Sequence, residues 1–257
     1  MIVVGHRGAN KEALENSWAA YELAIEGGAH RIELDVHLTA DNEVVIMHDL
    51  ELFRTTGKHG NLGMMTRAEV QTRKLLNGES IPFLDEVLTK IYPRCEINIE
   101  IKGSSELLAQ KVAELLYKFS AVDRIIVSCF SVEPLQYFAR HFADVKRACL
   151  WGDWPAWPSF ADFCPILMMK NCRASILHPV AFWVTENLMD QSRARGWTVY
   201  PYVTMKGEDR DRVGLWSTMT ALGVDGLCTN FPRELAMWLV DVRTSEARAQ
   251  SLSLGLK

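Results

Sequence analysis

The sequence predicts an α/β protein of the TIM-like (β/α)8 barrel class. Short β-rich segments recur along the 257 residues, and helical segments separate most of them. Alternating strands and helices are typical of a parallel sheet. Eight or nine strands in about 250 residues fit a closed barrel better than an open sheet. We therefore expect residues 1–240 to form one barrel domain, with 241–257 as the end of a C-terminal helix or a tail.

The strand and helix positions follow from β-rich runs and from capping residues. A first helix is expected after Asn16 or Ser17, ending at Gly27 and Gly28, with others at 106–117, 134–142 and 186–195. The link at 37–43 is too short for a crossover helix, so it predicts a hairpin and a barrel distorted at that point. The predicted strands are 2–4, 31–36, 43–47, 96–101, 124–129, 146–151, 174–178, 198–203 and 226–228.

Composition and charge exclude several classes of protein. The net charge is −4 and no basic cluster stands out, which disfavours nucleic-acid binding. No apolar run approaches the ~20 residues that span a bilayer. Six scattered cysteines without a metal spacing predict buried thiols in a reducing compartment. With no signal-like start, we expect a soluble cytoplasmic protein with a small-molecule partner; the oligomeric state is not predicted.

Polar residues follow or interrupt four of the early apolar strands. In barrel enzymes the catalytic groups gather at the carboxyl ends of the strands, so these side chains should share one rim. Any one of them alone is usually structural, whereas the joint pattern indicates a site. The residues are His6, Arg7, Glu33, Asp35, His48, Glu100 and Lys102.

Three carboxylates in this set predict a metal site. Glu33 and Asp35 are two residues apart on a strand, so both side chains point to the same face. Two carboxylates on a buried face repel each other unless a cation lies between them. Glu100 supplies a third ligand from another strand, and such hard oxygen ligands suit Mg²⁺, Mn²⁺ or Ca²⁺.

The remaining four residues match the needs of phosphodiester cleavage. Arg7 and Lys102 can stabilise negative charge on phosphoryl oxygens, together with a metal. The attacking hydroxyl must lose a proton and the leaving alkoxide must gain one. His6 and His48 are suited to act as this base and acid near neutral pH, without the sequence telling which is which.

Ten short segments follow one another along the chain in a distinctive order. They are HRGA at 6–9, ENS at 15–17, GAHRIELDV at 28–36, TADN at 39–42, HD at 48–49, LFRTTG at 52–57, IPFLDEV at 81–87, NIEIK at 98–102, GVDGL at 223–227 and TNFP at 229–232. With these segments the chain resembles the glycerophosphodiester phosphodiesterase family from residue 2 to about 235, since they are similar to the family's HRG, PENT, IELDV, NIEIK and GVDGIITDYP patterns.

The resemblance implies a TIM-like barrel that hydrolyses glycerophosphodiesters to glycerol 3-phosphate and an alcohol. It also implies the roles of the seven residues above: three metal ligands, a His acid/base pair and two phosphate-binding cations. In the family's usual mechanism, a neighbouring glycerol hydroxyl attacks first and water then opens a cyclic phosphate.

Departures from the family pattern concern the substrate. Leu14 stands in place of a proline, and the late segment reads Tyr202 to Met205 where the family has W-T-V-N. A sugar-containing phosphodiester, including opine-type compounds, is therefore an alternative substrate. The predicted pocket residues are Trp151, Trp154, His178, Tyr202 and Met205.

Two other functions remain open from the sequence. A transphosphorylase resembling the related phospholipases D would use the same residues and stop at a cyclic phosphate. A phosphodiester-binding module without catalysis would need neither histidine as an acid or base.

Overall fold

The computed structural model describes residues 1–152, 165–204 and 211–253, with side chains as far as 245. Within these ranges the chain forms nine strands and ten α-helices. The strands are β1 Ile2–Gly5, β2 Arg31–Leu38, β3 Val44–Ile46, β4 Glu96–Ile101, β5 Ile125–Cys129, β6 Lys146–Trp151, β7 Ile176–Pro179, β8 Thr198–Val199 and β9 Gly226–Thr229. The helices are α1 Trp18–Glu26, α2 Phe53–Thr56, α3 Arg67–Gln71, α4 Leu84–Lys90, α5 Glu106–Lys118, α6 Val132–His141, α7 Pro165–Cys172, α8 Glu186–Arg193, α9 Val213–Leu222 and α10 Pro232–Ser253.

Eight of the strands form a parallel sheet that curls into a nearly closed barrel. Their order is β8-β7-β6-β5-β4-β2-β1-β9. Tyr202, just beyond β8, pairs with Val180 on one side and with Cys228 on the other, which brings the two edges of the sheet together. The predicted TIM-like barrel is confirmed.

The predicted hairpin after β2 is also confirmed. β3 is antiparallel to β2, and Val36 pairs with Ile46. Asn42 in the connecting turn has a φ of 61°, in the left-handed region that asparagine tolerates better than most residues. β3 therefore lies off the barrel wall, beside β2.

Alternation along β2 separates apolar packing from the polar interior. Ile32, Leu34 and Val36 are buried in the main core, where the strands pack against the surrounding helices. Glu33 and Asp35 lie on the opposite face of the same strand. One strand thus stabilises the fold with one face and delivers carboxylates with the other.

Helix α1 begins where a capping residue predicts it. The Ser17 hydroxyl accepts a hydrogen bond from the backbone N–H of Ala20, and Gly27 ends the helix. Ser17, and not Asn16, is therefore the N-cap. Asn16 has a φ of 54° and a separate contact described below.

The segment between β3 and β4 contains three helices that the strand pattern did not predict. It packs around an apolar cluster of its own, which includes Leu52, Leu62, Val70 and Phe83. A capping box between Thr66 and Glu69 begins α3. We call residues 48–91 the β3–β4 insertion.

The C-terminal part of the chain continues the last helix. α10 runs through position 241 to Ser253, so no helix boundary lies at 240. In the described part of the chain no helix combines the length and the apolarity that crossing a membrane requires. Cys164 lies outside the described residues. The described cysteines are all buried free thiols: Cys95, Cys129, Cys149, Cys172 and Cys228.

The amino-terminal end of the barrel interior contains polar residues. The Arg31 guanidinium lies 5.2 Å from the centre of the Tyr200 ring, and its NH2 atom is 2.5 Å from Glu96 Oε2. His178, Arg31 and Tyr200 line one small cavity, and His178 is 3% exposed. The His178 Nδ1–H donates to the Tyr200 carbonyl oxygen, while burial lowers the pKa of His178 to about 4.

The buried His178 should make the protein sensitive to acid. The pKa of His178 in the folded protein, about 4, lies below the usual histidine value of 6.5. Below pH 6.5 the unfolded chain therefore binds a proton that the folded protein resists, and stability falls until the pH reaches about 4. We expect a loss of roughly 3 kcal/mol from this residue over that interval, at about 1.4 kcal/mol per unit of pKa.

Urea unfolding of the wild type and of His178→Asn at several pH values measures this loss. The wild type should show the steeper fall in unfolding free energy. Exposed His141 provides the matched control, as His141→Asn. Equal slopes for the wild type and His178→Asn would contradict the prediction.

Candidate active site

Three carboxylates meet at the carboxyl end of the barrel, as the sequence predicts. Glu33 and Asp35 come from β2, and Glu100 comes from the neighbouring β4, where it pairs in register with Asp35. One oxygen from each lies within 4.8 Å of the others. The residues are 2%, 0% and 8% exposed, respectively.

Burial and the neighbouring charges shift the pKa values of Glu33 and Asp35 in opposite directions. Burial, followed by the charges of Asp35 and Glu100, raises the pKa of Glu33 well above its usual range. Burial also acts to raise the pKa of Asp35, but Lys102 and Arg7 outweigh it and lower that pKa. Glu33 Oε1 is buried without a hydrogen-bond partner. This oxygen-only set therefore fits a hard divalent cation.

Arg7 lies against the carboxylates in the turn after β1. Its Nε is 3.3 Å from Asp35 Oδ2, and its backbone N–H donates to Glu33 Oε2 at 2.9 Å. Arg7 has a φ of 55° and Gly8 a φ of 83°. A Cβ at Gly8 would lie 2.6 Å from the backbone carbon of Ala20, so only glycine fits there.

Lys102 supplies the second cation and is partly buried. Its Nζ is 2.7 Å from Asp35 Oδ1 and also forms an ion pair with Glu100. Burial acts to lower the pKa of Lys102, but the two carboxylates outweigh it and raise that pKa above the usual range. Lys102 therefore stays protonated beside the carboxylates.

His6 is held by neutral amide groups. Its Nδ1 lies 2.8 Å from Asn230 Oδ1, which also accepts from Asn10 Nδ2 at 2.7 Å. This arrangement places the ring proton on Nδ1 and leaves the Nε2 lone pair available. Burial, with a contribution from the charge of Arg7, lowers the pKa of His6 to about 3. The ring is therefore neutral at neutral pH.

Asn230 is itself held by Asp211, which lies in the segment between β8 and β9. Its backbone N–H donates to Asp211 Oδ2 at 2.6 Å, and Thr229 Oγ1 donates to the same carboxylate. The Trp216 ring N–H donates to Asp211 Oδ1 at 2.8 Å. A buried carboxylate therefore fixes the backbone of the residue whose side-chain amide orients His6.

His48 has a charged partner instead. Its Nδ1 lies 2.6 Å from Asp49 Oδ1, and its side chain is partly exposed. The His37 ring donates from Nε2 to the His48 carbonyl oxygen at 3.0 Å and so holds the backbone beside the site. The Asp49 carboxylate accepts a hydrogen bond from Nδ1 and so favours the Nδ1–H form of His48.

Several residues that contact this site are not among those that the sequence pattern singles out. Asn16 Nδ2 donates to Asp35 Oδ2 at 2.8 Å, and Glu15 accepts from Arg7 NH1 at 3.0 Å. Both lie in the family-like segment at 15–17. Asp49 and Asn230 also lie in family-like segments, at 48–49 and 229–232, so membership of these motifs is the sequence signal that marks them.

The predicted pocket residues have different surroundings. His178 and Tyr202 are buried inside the barrel, with ring centres 5.5 Å apart. Trp151 is half-buried and packs edge-on against Trp183 at 4.9 Å. The other two predicted pocket residues, Trp154 and Met205, lie outside the described residues. A substrate role for all five residues stays a prediction.

Comparisons with known proteins agree on one family. Residues 6–234 match the sequence model of the Glycerophosphoryl diester phosphodiesterase family. A glycerophosphodiester phosphodiesterase of Caldanaerobacter subterraneus subsp. tengcongensis is 30% identical over 245 residues, covering 91% of this chain and 96% of that protein.

Two solved structures have the same fold. The glycerophosphodiester phosphodiesterase from Agrobacterium tumefaciens has a TM-score of 0.77 and 28% identity, covering 92% of this chain and 99% of the other. An Oleispira antarctica phosphodiesterase, solved with its product sn-glycerol-3-phosphate, has a TM-score of 0.80 and 22% identity, covering 92% and 96%. The chain therefore belongs to the glycerophosphoryl diester phosphodiesterase family and is a phosphodiesterase.

Proposed function

We propose that the protein is a metal-dependent hydrolase that cleaves a glycerophosphodiester into glycerol phosphate and an alcohol. The observation that carries this proposal is the buried triad of Glu33, Asp35 and Glu100, with two cations and two oriented histidines at the same end of the barrel. Such a set provides charge stabilisation and proton transfer in one place.

The three carboxylates would hold a divalent cation, either Mg²⁺, Mn²⁺ or Ca²⁺. When bound, the cation supplies Lewis-acid stabilisation of the phosphoryl oxygens. Arg7 and Lys102 would bind the same phosphate, Arg7 through its planar fork and Lys102 as a point charge. Both cations already lie against Asp35, at 3.3 and 2.7 Å.

The histidine partners support a division of roles between the two rings. His6, whose Nδ1–H meets a neutral amide, would accept the proton of the attacking hydroxyl at Nε2. His48, whose Nδ1–H meets the Asp49 carboxylate, would donate a proton to the leaving oxygen as its bond to phosphorus breaks. The attacking hydroxyl belongs to water or to the neighbouring glycerol carbon.

A glycerol-containing substrate is supported by the family and by the product bound to the Oleispira protein. The altered segment from Tyr202 keeps a sugar phosphodiester as the second candidate.

A substrate panel tests the proposed function directly. We expect turnover of glycerophosphocholine or of a sugar phosphodiester, lost in EDTA and restored by a divalent cation. Phosphorus NMR should show a phosphomonoester as the final product. A lasting cyclic phosphate would indicate a transphosphorylase, and tight binding without turnover would indicate a binding module.

Neutralising one metal ligand should remove both cation binding and turnover. We expect Glu33→Gln and Asp35→Asn to lower kcat by more than about 100-fold, since these carboxylates would contact the cation directly. Calorimetric titration with the cation should show weaker binding in both variants. Glu22→Gln is the matched control, because the Glu22 side chain is 41% exposed and pairs only with Arg94 among its described contacts. Full cation binding and activity in either ligand variant would contradict the metal assignment.

Leaving-group chemistry separates the two histidines. A nitrophenolate leaves without protonation, whereas an alkoxide needs an acid. His48→Ala should therefore lower kcat by about 100- to 10,000-fold for an alkyl diester and far less for a nitrophenyl diester. His6→Ala should impair both substrates to a similar degree. The opposite pattern would exchange the proposed roles.

A further inference from the structure

The Glu15 carboxylate lies between two arginines beside the site. It is buried, and its Oε1 accepts from Arg7 NH1 at 3.0 Å. Arg54 donates from NH1 to Oε2 and from NH2 to Oε1, both at 2.7 Å. The pKa of Glu15 is lowered, because the two arginines outweigh the effect of burial. Glu15 therefore stays charged and binds Arg54 through a two-pronged contact.

The same Arg54 reaches the His48 side of the site. Its Nε donates a hydrogen bond to Asp49 Oδ2 at 2.5 Å, and the other oxygen of Asp49 accepts a hydrogen bond from His48 Nδ1. Arg54 thus uses its whole fork on two carboxylates. A continuous series of polar contacts therefore runs from Arg7 to His48.

We propose that the Glu15–Arg54 pair is a positioning bridge that sets the orientation of Arg7 and the tautomer of His48 together. The inference rests on the proposed function, because it assigns these two residues to the alignment of its phosphate-binding and acid groups. Neither residue needs to touch substrate, since each acts through the partner that it holds.

The β3–β4 insertion is what places Arg54. Arg54 lies on the single turn of α2, whose Thr55 and Thr56 are buried, and Leu52 before it is part of the insertion's own core. Gly57 ends the turn with a φ of 68°. The insertion therefore gives a partly exposed side chain a defined direction toward Glu15 and Asp49.

The geometry explains why both ends depend on the bridge. Arg7 contacts Asp35 through Nε and Glu15 through NH1. Glu15 therefore keeps the NH1 group of the guanidinium directed away from Asp35. Asp49 lies next to His48 in the chain and is about one-third exposed. Without Arg54, Asp49 can turn to solvent, and the reason for His48 to keep its proton on Nδ1 disappears.

Nitrogen-15 NMR of the His48 ring tests the bridge without turnover. At a pH where the ring is neutral, the wild type should show the Nδ1–H tautomer. Arg54→Gln should shift His48 toward a mixture of tautomers and lower kcat by about 10- to 100-fold, with a smaller change in KM. Arg54→Lys keeps the charge but cannot span both carboxylates, so it should recover only part of each effect.

Arg67→Gln is the matched control, because Arg67 belongs to the same insertion but pairs with Glu43 and Asp85. A wild-type tautomer and kcat in Arg54→Gln, or an equal loss of kcat in Arg67→Gln, would overturn the inference. If Arg54→Gln fails to fold, the tautomer in Arg54→Lys decides. A shifted tautomer in a protein that cleaves no phosphodiester would retain the bridge and refute the proposed function.

Discussion

The burial of three carboxylates at one end of the barrel is the constraint on which the rest of the site depends. Unpaired charges of one sign cannot be held there without a large cost. Arg7 and Lys102 offset that cost, and both contact Asp35. Asp35 consequently remains ionised while Glu33 holds a proton more readily, which leaves a site that gains from a further cation.

Two unusual backbone conformations allow further hydrogen bonds to the buried carboxylates. Arg7 and Asn16 both have positive φ angles, which cost free energy for residues other than glycine. At those angles Arg7 N–H donates to Glu33, and the Asn16 side chain reaches Asp35. The two strained positions thus contribute hydrogen bonds to the carboxylates that the barrel buries. These hydrogen bonds offset the free-energy cost of the positive φ angles.

The two histidines are oriented by separate parts of the fold. His6 depends on Asn230, which follows β9 and is fixed by Asp211, at the opposite end of the sequence. His48 depends on Asp49 and, through it, on the β3–β4 insertion. A neutral amide and a carboxylate give chemically different settings to the same type of side chain. Both histidines lie at the same end of the barrel, but the segments attached to the barrel give them different hydrogen-bond partners.

The sequence by itself determined the barrel, the hairpin after β2, and the joint position of Glu33, Asp35 and Glu100. Each depends on local periodicity or on strand ends, which neighbouring residues encode. Only the tertiary structure decided the partners: Asn230 beside His6, Arg54 beside Glu15, and the packing of the β3–β4 insertion. Asn230 and His6 are 224 positions apart, and no local pattern encodes such a pairing. Hydrogen bonds between distant residues arise only once the barrel closes, because closure fixes the distances that select them.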